Sequence, residues 1–257
     1  MNKTVLITGA SSGIGMEFSR LFASEGYDLI LVARRENILK ELSRELIKGY
    51  KIRVSILSVD LSLETAAEDI FEEIKDRGLS VDILINNAGL SIYGGFSKTD
   101  LEDELNLIKV NMISLTKLTK LAVREMLKKG SGKILNIGST ASFGPGPLNA
   151  IYCASKAYVL SFSEAIAKEL EDTDISVTTL CPGATETEFA ENAGITETRL
   201  FKSSTMSAKK VVRVGYKAML RGKRIVIPGL YNKILIFSIR FIPRLMVLNI
   251  SKRLMSK

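Results

Sequence analysis

Short runs of branched apolar residues alternate along the chain with longer stretches in which apolar side chains recur every three or four positions. The first pattern marks strands and the second amphipathic helices. The runs predict strands over Lys3–Thr8, Asp28–Ala33, Ile52–Val59, Asp82–Asn86, Lys133–Gly138, Ile175–Cys181 and Arg224–Pro228. Helical stretches fall near residues 13–25, 36–48, 64–77, 100–128, 150–171 and 207–221. Several strands are apolar at consecutive positions, as strands buried on both faces are. Strands and helices in this alternation predict an α/β fold: a doubly wound, mostly parallel seven-stranded sheet with helices on both faces. No Gly/Ser/Pro-rich linker divides the series, so residues 1–257 are expected to form one domain. The segment 186–207 follows the sixth strand and shows no obvious strand of its own. Ligands bind at the carboxyl ends of strands in open α/β sheets, so this segment is the expected substrate loop.

Composition narrows the chemistry. With 46% hydrophobic and 25% charged residues, the 257-residue chain can fill a sizeable core. It contains no histidine and two cysteines, Cys153 and Cys181, in no metal-ligand spacing. No metal site is expected, and catalytic triads built on imidazole are excluded. Any acid or base must be Tyr, Lys, Asp, Glu or Cys. The N-terminus reaches a glycine-rich turn too soon to hold a signal peptide, which predicts a cytoplasmic start.

Three local patterns carry candidate chemistry. After the first strand comes Thr8-Gly9-Ala10-Ser11-Ser12-Gly13-Ile14-Gly15, leading into a helix. Glycines there allow close backbone approach, and the helix N-terminus offers free amides to a phosphate. Turns and tight packing also select glycine, so the motif needs its context. The second strand ends in Ala33-Arg34-Arg35, where a dinucleotide-binding fold meets the adenosine ribose. Guanidinium groups there favour the 2′-phosphate of NADP(H) over the free hydroxyl of NAD; solvated charges at a strand end are the plainer alternative, above all for Arg35. Third, Tyr152-Cys153-Ala154-Ser155-Lys156 puts a phenol and an ammonium four residues apart on one helical face. A positive charge beside the phenol predicts a tyrosine pKa lowered toward neutrality. On its own such a pair is usually a surface pair.

Taken together, these residues resemble the short-chain dehydrogenase/reductase family over nearly the whole length. The resemblance is carried by the glycine motif, Asp60 after strand three, Asn86-Asn87-Ala88-Gly89 after strand four, Asn111 in a long helix, Ser139 after strand five, the Tyr/Lys pair, and Pro182-Gly183 after strand six. It implies a Rossmann fold and an NADP(H)-dependent, carbonyl reductase-like oxidoreductase. By that resemblance Ser139 bonds the substrate oxygen, Tyr152 protonates it, Lys156 binds the nicotinamide ribose and depresses the tyrosine pKa, and Asn111 holds a water linking Lys156 to solvent. The cofactor set would be Gly9, Ser11, Ser12, Gly13, Ile14, Gly15, Arg34, Arg35, Asp60, Leu61, Asn87, Tyr152, Lys156, Pro182, Gly183 and Thr187. Asp60 and Leu61 would serve the adenine, Asn87 the ribose side and Thr187 the carboxamide.

The substrate is expected to be a small carbonyl or alcohol. Apolar residues in the loops, among them Ile92, Tyr93, Phe96 and Phe143, suit a 3-oxoacyl, steroid or small aliphatic compound. A non-catalytic NADP(H)-binding sensor or interaction protein is the contrasting possibility, and an epimerase or dehydratase on the same fold a third. Net charge is +8, and Lys233, Arg240, Arg244, Lys252, Arg253 and Lys257 crowd an apolar tail over residues 231–257 that carries no acid. Pro243 and the arginines make that tail unfit to span a bilayer. It is expected to pack on the substrate pocket or on a second subunit of a homo-oligomer, with peripheral membrane contact as the alternative. The basic residues are dispersed and no nucleic-acid partner is expected.

Overall fold

In the computed structural model, residues 2–203 and 205–256 are described; Met1, Ser204 and the tail's Lys257 lie outside them. The strands are β1 (Thr4–Thr8), β2 (Asp28–Ala33), β3 (Val54–Ser58), β4 (Ile83–Asn86), β5 (Gly132–Ile137), β6 (Ile175–Leu180), β7 (Thr185–Glu186), β8 (Met206–Ser207) and β9 (Ile225–Val226). The helices are α1 (Gly13–Ser24), α2 (Glu36–Gly49), α3 (Ala66–Asp76), α4 (Leu101–Ile108), α5 (Leu115–Lys129), α6 (Ala150–Glu169), α7 (Glu188–Asn192), α8 (Arg199–Ser203), α9 (Ala208–Leu220), α10 (Leu230–Ile239) and α11 (Arg244–Met255).

Seven strands form one sheet in the order β3-β2-β1-β4-β5-β6-β9, every neighbouring pair parallel. This is the doubly wound Rossmann architecture expected from the alternation. The reason is legible in β1 and β2, whose residues are buried without exception: a strand covered on both faces is apolar at consecutive positions through its middle, with Thr4, Thr8 and Asp28 only at the ends. One core cluster joins Val5, Ile7 and Leu31 to Phe18 and Phe22 of α1 and Val211 and Met219 of α9. A second joins Leu6, Ile30 and Leu84 to Ile70 of α3 and Leu118 of α5. Alternate residues of each central strand thus feed opposite faces. The order reverses between β1 and β4, which opens a crevice at their carboxyl ends.

Three elements differ from the sequence expectation. The helix expected over 100–128 is broken by a π-helical turn, Lys109–Ser114. The segment 186–207 does contain strand: β7 pairs with β8, one bridge on either side of α7 and α8. The seventh strand of the large sheet is two residues long rather than five, because β9 is an edge paired only to β6. In the tail, Pro243 separates α10 from α11 and precedes the first residue of α11, where its missing N–H costs nothing.

Candidate active site

β1 hands the chain to α1 through Gly9–Gly15. Gly13 holds a φ of +50°, which L side chains avoid, and a Cβ on it would come within 2.8 Å of the Thr187 Cγ2. A Cβ on Gly15 would collide with the Gly9 carbonyl oxygen and the Asn87 side-chain amide. Ser12 precedes α1 without a side-chain capping bond, which leaves the first helical amides for an anion at the positive end of the dipole. The turn therefore suits the pyrophosphate of a dinucleotide by its uncapped donors, while its own packing against Thr187, Gly9 and Asn87 requires the glycines at 13 and 15.

Asn87 ties this turn to β4. Its Nδ2 donates to the Thr8 carbonyl at 2.9 Å and to the Gly9 carbonyl at 3.2 Å, while the amides of Asn87 and Ala88 donate to Thr8 Oγ1 at 3.0 and 3.1 Å. The crevice is thus braced at the place where strand order reverses. Asp60 closes an Asx turn, its Oδ1 accepting from the amide and hydroxyl of Ser62, both at 2.9 Å. Leu61 is buried, and its carbonyl accepts from Ser114 Oγ at 2.7 Å.

The two arginines after β2 part company. Arg34 is 65% exposed, with its Nη1 3.9 Å from Asp60 Oδ2. Arg35 Nη2 donates to the Ser11 carbonyl at 3.1 Å and pairs with Glu188 Oε2 at 2.9 Å. Arg35 is consequently a strap between the glycine turn and α7. Farther along, the Pro182 carbonyl accepts from the Thr140 amide at 2.8 Å, Gly183 lies against Asn232 of α10, and Thr187 precedes α7 against Gly13.

β5 delivers Ser139 to the same edge. Its Oγ accepts from the Ala141 amide at 3.1 Å, capping a 3₁₀ turn over Thr140–Phe143, and its hydroxyl acts on the Tyr152 phenol in the sense that favours ionisation. Tyr152 and Lys156 face that turn from α6. Lys156 is buried, donates from Nζ to the Ile137 carbonyl at 2.8 Å, and lies 5.7 Å from the centre of the Tyr152 ring. Asn111 sits in the π-helical turn, 1% exposed. It clamps Leu90 with both side-chain atoms, Oδ1 accepting from the Leu90 amide at 2.8 Å and Nδ2 donating to its carbonyl at 3.0 Å. Ser139, Tyr152, Lys156 and Asn111 are thus brought to one side of the crevice and the glycine turn to the other.

Burial sets the charges here. It pushes the Tyr152 phenol up to about 12, against the opposing hydrogen bond from Ser139, and holds the Lys156 ammonium down near 8. The sequence expectation of a tyrosine lowered by its lysine is therefore corrected: desolvation penalises the charged form of each group, raising the phenol and lowering the ammonium. Burial also raises the thiols of Cys153 and Cys181, to about 11 and about 12.

Two neighbours were not singled out from the sequence. The ring of Phe189 stands 5.8 Å from that of Tyr152, and Ser155 Oγ, fully buried, accepts from Asn111 Nδ2 at 3.0 Å. Phe189 lies in a helix of five residues, too short for a periodic signal; Ser155 falls within the Tyr-to-Lys spacing, and only the burial of the helical face beside Lys156 would have marked it.

Known proteins resemble this arrangement. The family model described as short chain dehydrogenase matches residues 3–197. Sulfoacetaldehyde reductase 2 of Chromohalobacter salexigens is 37% identical over 191 residues, 74% of this chain and 75% of the relative. The NADP-dependent 3-hydroxy acid dehydrogenase of Schizosaccharomyces pombe is 34% identical over 192 residues, 73% of each. A short-chain dehydrogenase from Sphingobium yanoikuyae, solved in complex with NADPH, superposes with a TM-score of 0.84 at 33% identity and 95% coverage of both chains. The chain belongs to the short-chain dehydrogenase family. It is an oxidoreductase that interconverts a carbonyl and an alcohol with a nicotinamide cofactor.

Proposed function

We propose that this chain is an NADP(H)-preferring reductase of apolar carbonyl compounds in which Tyr152 is the proton donor. The grouping of Ser139, Tyr152 and Lys156, in a chain whose glycine turn opens α1 with no side-chain cap on its first amides, carries the reading. When bound, the cofactor supplies the hydride. The amides of Gly13, Ile14 and Gly15 would hold its pyrophosphate, with Gly9, Ser11 and Ser12 shaping the turn. Arg34 would take the 2′-phosphate with Arg35 beside it, Asp60 and Leu61 would meet the adenine, Asn87 the ribose side, and Pro182, Gly183 and Thr187 the nicotinamide end.

The residues' own chemistry follows from their environment. A phenol with a pKa near 12 keeps its proton at neutral pH and is ready to yield it to an oxygen on which negative charge develops. Ser139 supplies a second hydrogen bond at that oxygen. Two fixed donors aimed at a growing charge lower the barrier because they bind the transition state more strongly than the neutral carbonyl. Lys156, charged at neutral pH and 5.7 Å from the ring, stabilises the phenolate left behind. Asn111 fixes the backbone of Leu90 next to this lysine: a Cβ on Gly89 would be 3.3 Å from Asn111 Oδ1 and 3.6 Å from Lys156 Nζ.

Arg34 supports NADP(H) because its guanidinium, in contact with Asp60 at 3.9 Å, is otherwise largely exposed where the adenosine ribose would lie. Phe189 beside the tyrosine and the aromatic and proline residues of the 143–149 loop favour an apolar substrate. The segment 186–207, held by Arg35 and Thr187, would be the substrate loop. Replacing Tyr152 by Phe deletes only the hydroxyl. We expect the rate of NADPH-dependent reduction of a responsive ketone to fall by about 10²–10⁴-fold, with NADPH affinity, read by fluorescence titration, little changed. Full turnover by that variant would remove Tyr152 as the donor.

A further inference from the structure

The last two helices leave an unusual surface. Leu230, Ile234, Phe237 and Phe241 recur at i, i+4, i+7 and i+11, the spacing of one helical stripe. They are 73, 59, 60 and 73% exposed. Ile236, on the opposite side of α10, is buried at 6%. α10 thus carries apolar side chains on both sides but is covered on one side only. On α11, Leu245, Met246 and Ile250 are likewise exposed, while Val247 and Met255 are buried. The end of α11 is fastened to the body, because Tyr93 Oη donates to the Met255 carbonyl at 2.8 Å and the Arg199 amide to the Ser256 carbonyl at 3.1 Å. Between the two helices and the 142–157 segment lies a cavity of about 720 Å³, bounded by Phe143, Ala154, Ile239 and Val247.

Charge distinguishes the coverings such a face could have. Residues 198–257 contain fifteen Lys or Arg and no Asp or Glu, and Lys233, Arg240, Lys252 and Arg253 are exposed beside the stripe. A second copy packed on this face about a two-fold axis would bring like surfaces together and set these cations against their own equivalents. An anionic bilayer matches both features at once, taking apolar side chains below the headgroups and cations at their level. No helix among the described residues is long and apolar enough to cross a membrane, so the two helices would lie in the plane of the interface.

We propose that the outer face of α10 and α11 docks this protein on anionic lipid surfaces. The inference stands apart from the reading of the catalytic groups, since it uses none of them. Flotation of the full chain with vesicles of phosphatidylcholine, alone or mixed with phosphatidylglycerol, tests it. Binding should be on the order of tenfold or more stronger on the mixed vesicles and should weaken as salt is raised. Phe237→Ser/Phe241→Ser should lose binding to both, since each buried aromatic side chain contributes roughly 1.5–3 kcal/mol, or tenfold and more. Lys233→Glu/Arg240→Glu should lose the anionic preference. Both variants should keep wild-type circular dichroism and wild-type turnover of a water-soluble aldehyde, which separates lost docking from lost fold. Absence of wild-type binding to mixed vesicles at low salt overturns the proposal. So does a dimer in sedimentation that Phe237→Ser/Phe241→Ser splits while no vesicle binding is seen, since a second copy would then be the covering.

Discussion

Lys156 is the residue whose environment departs most from what its position in a motif suggests. Its ammonium is buried and holds a backbone carbonyl, and burial lowers its pKa from 10.5 to about 8. An unfolded chain would keep this proton up to pH 10.5, whereas the folded one releases it from about 8. The cost of burying the charge is therefore fully present below pH 8 and is relieved as pH rises from 8 to 10.5. In urea unfolding, the stability of the wild type relative to Lys156→Met should climb from pH 8 to pH 10; a flat difference would show that the ammonium is not desolvated. Tyr152 acts in the opposite sense and later, its contribution being lost only between 10 and about 12. For the cofactor, Arg34→Ala should raise the dissociation constant for NADPH by roughly tenfold, the loss of a charge-assisted hydrogen bond of ~1.5 kcal/mol, and leave that for NADH unchanged; equal losses for both would assign Arg34 to stability alone. The residues of the motifs were legible in the sequence because backbone shape or a fixed helical spacing demands them. The sense of the tyrosine's pKa shift was not, because it depends on how deeply the ring is covered, and Phe189 comes to it from a separate loop.

At the scale of elements, the first turn of α1 is the tightest joint. Gly15→Ala would push a methyl group into the Gly9 carbonyl and the Asn87 amide, and overpacking of this kind costs about 1–3 kcal/mol. The melting temperature should drop by several degrees and NADPH affinity should fall with it; a variant of unaltered affinity would place the pyrophosphate elsewhere. The central strands were readable because double-sided burial imposes unbroken apolar runs, as in Leu29 to Val32. β7, β8 and β9 were not, since two residues paired by a neighbour carry no periodicity. The π-helical turn was hidden for another reason. It changes hydrogen-bond register within an uninterrupted helical composition, and such turns occur often at functional sites; here it carries Asn111 toward Leu90 and Ser155.

For the molecule as a whole, the sheet and the tail divide the work of recognition. The reversal between β1 and β4 makes the crevice, while α10 meets Gly183 through Asn232 and α11 is tied to Tyr93 and Arg199 through Met255 and Ser256. The sequence marks the tail as an apolar, basic stretch interrupted by Pro243, whereas its two helices and the side of them that stays bare appear only in the folded chain. One further consequence attaches to a residue type that is missing. With no histidine in the chain, no side chain has an ordinary titration range between about pH 5 and 8. Between pH 5.5 and 7.5 the protein's net charge therefore changes little, so mild acidification would not loosen or tighten its hold on a negatively charged surface. Vesicle binding measured at pH 5.5 and at pH 7.5 should coincide at fixed ionic strength. Salt, lipid composition and covalent change to the lysines are the remaining controls on attachment, and the proton gradient is not among them.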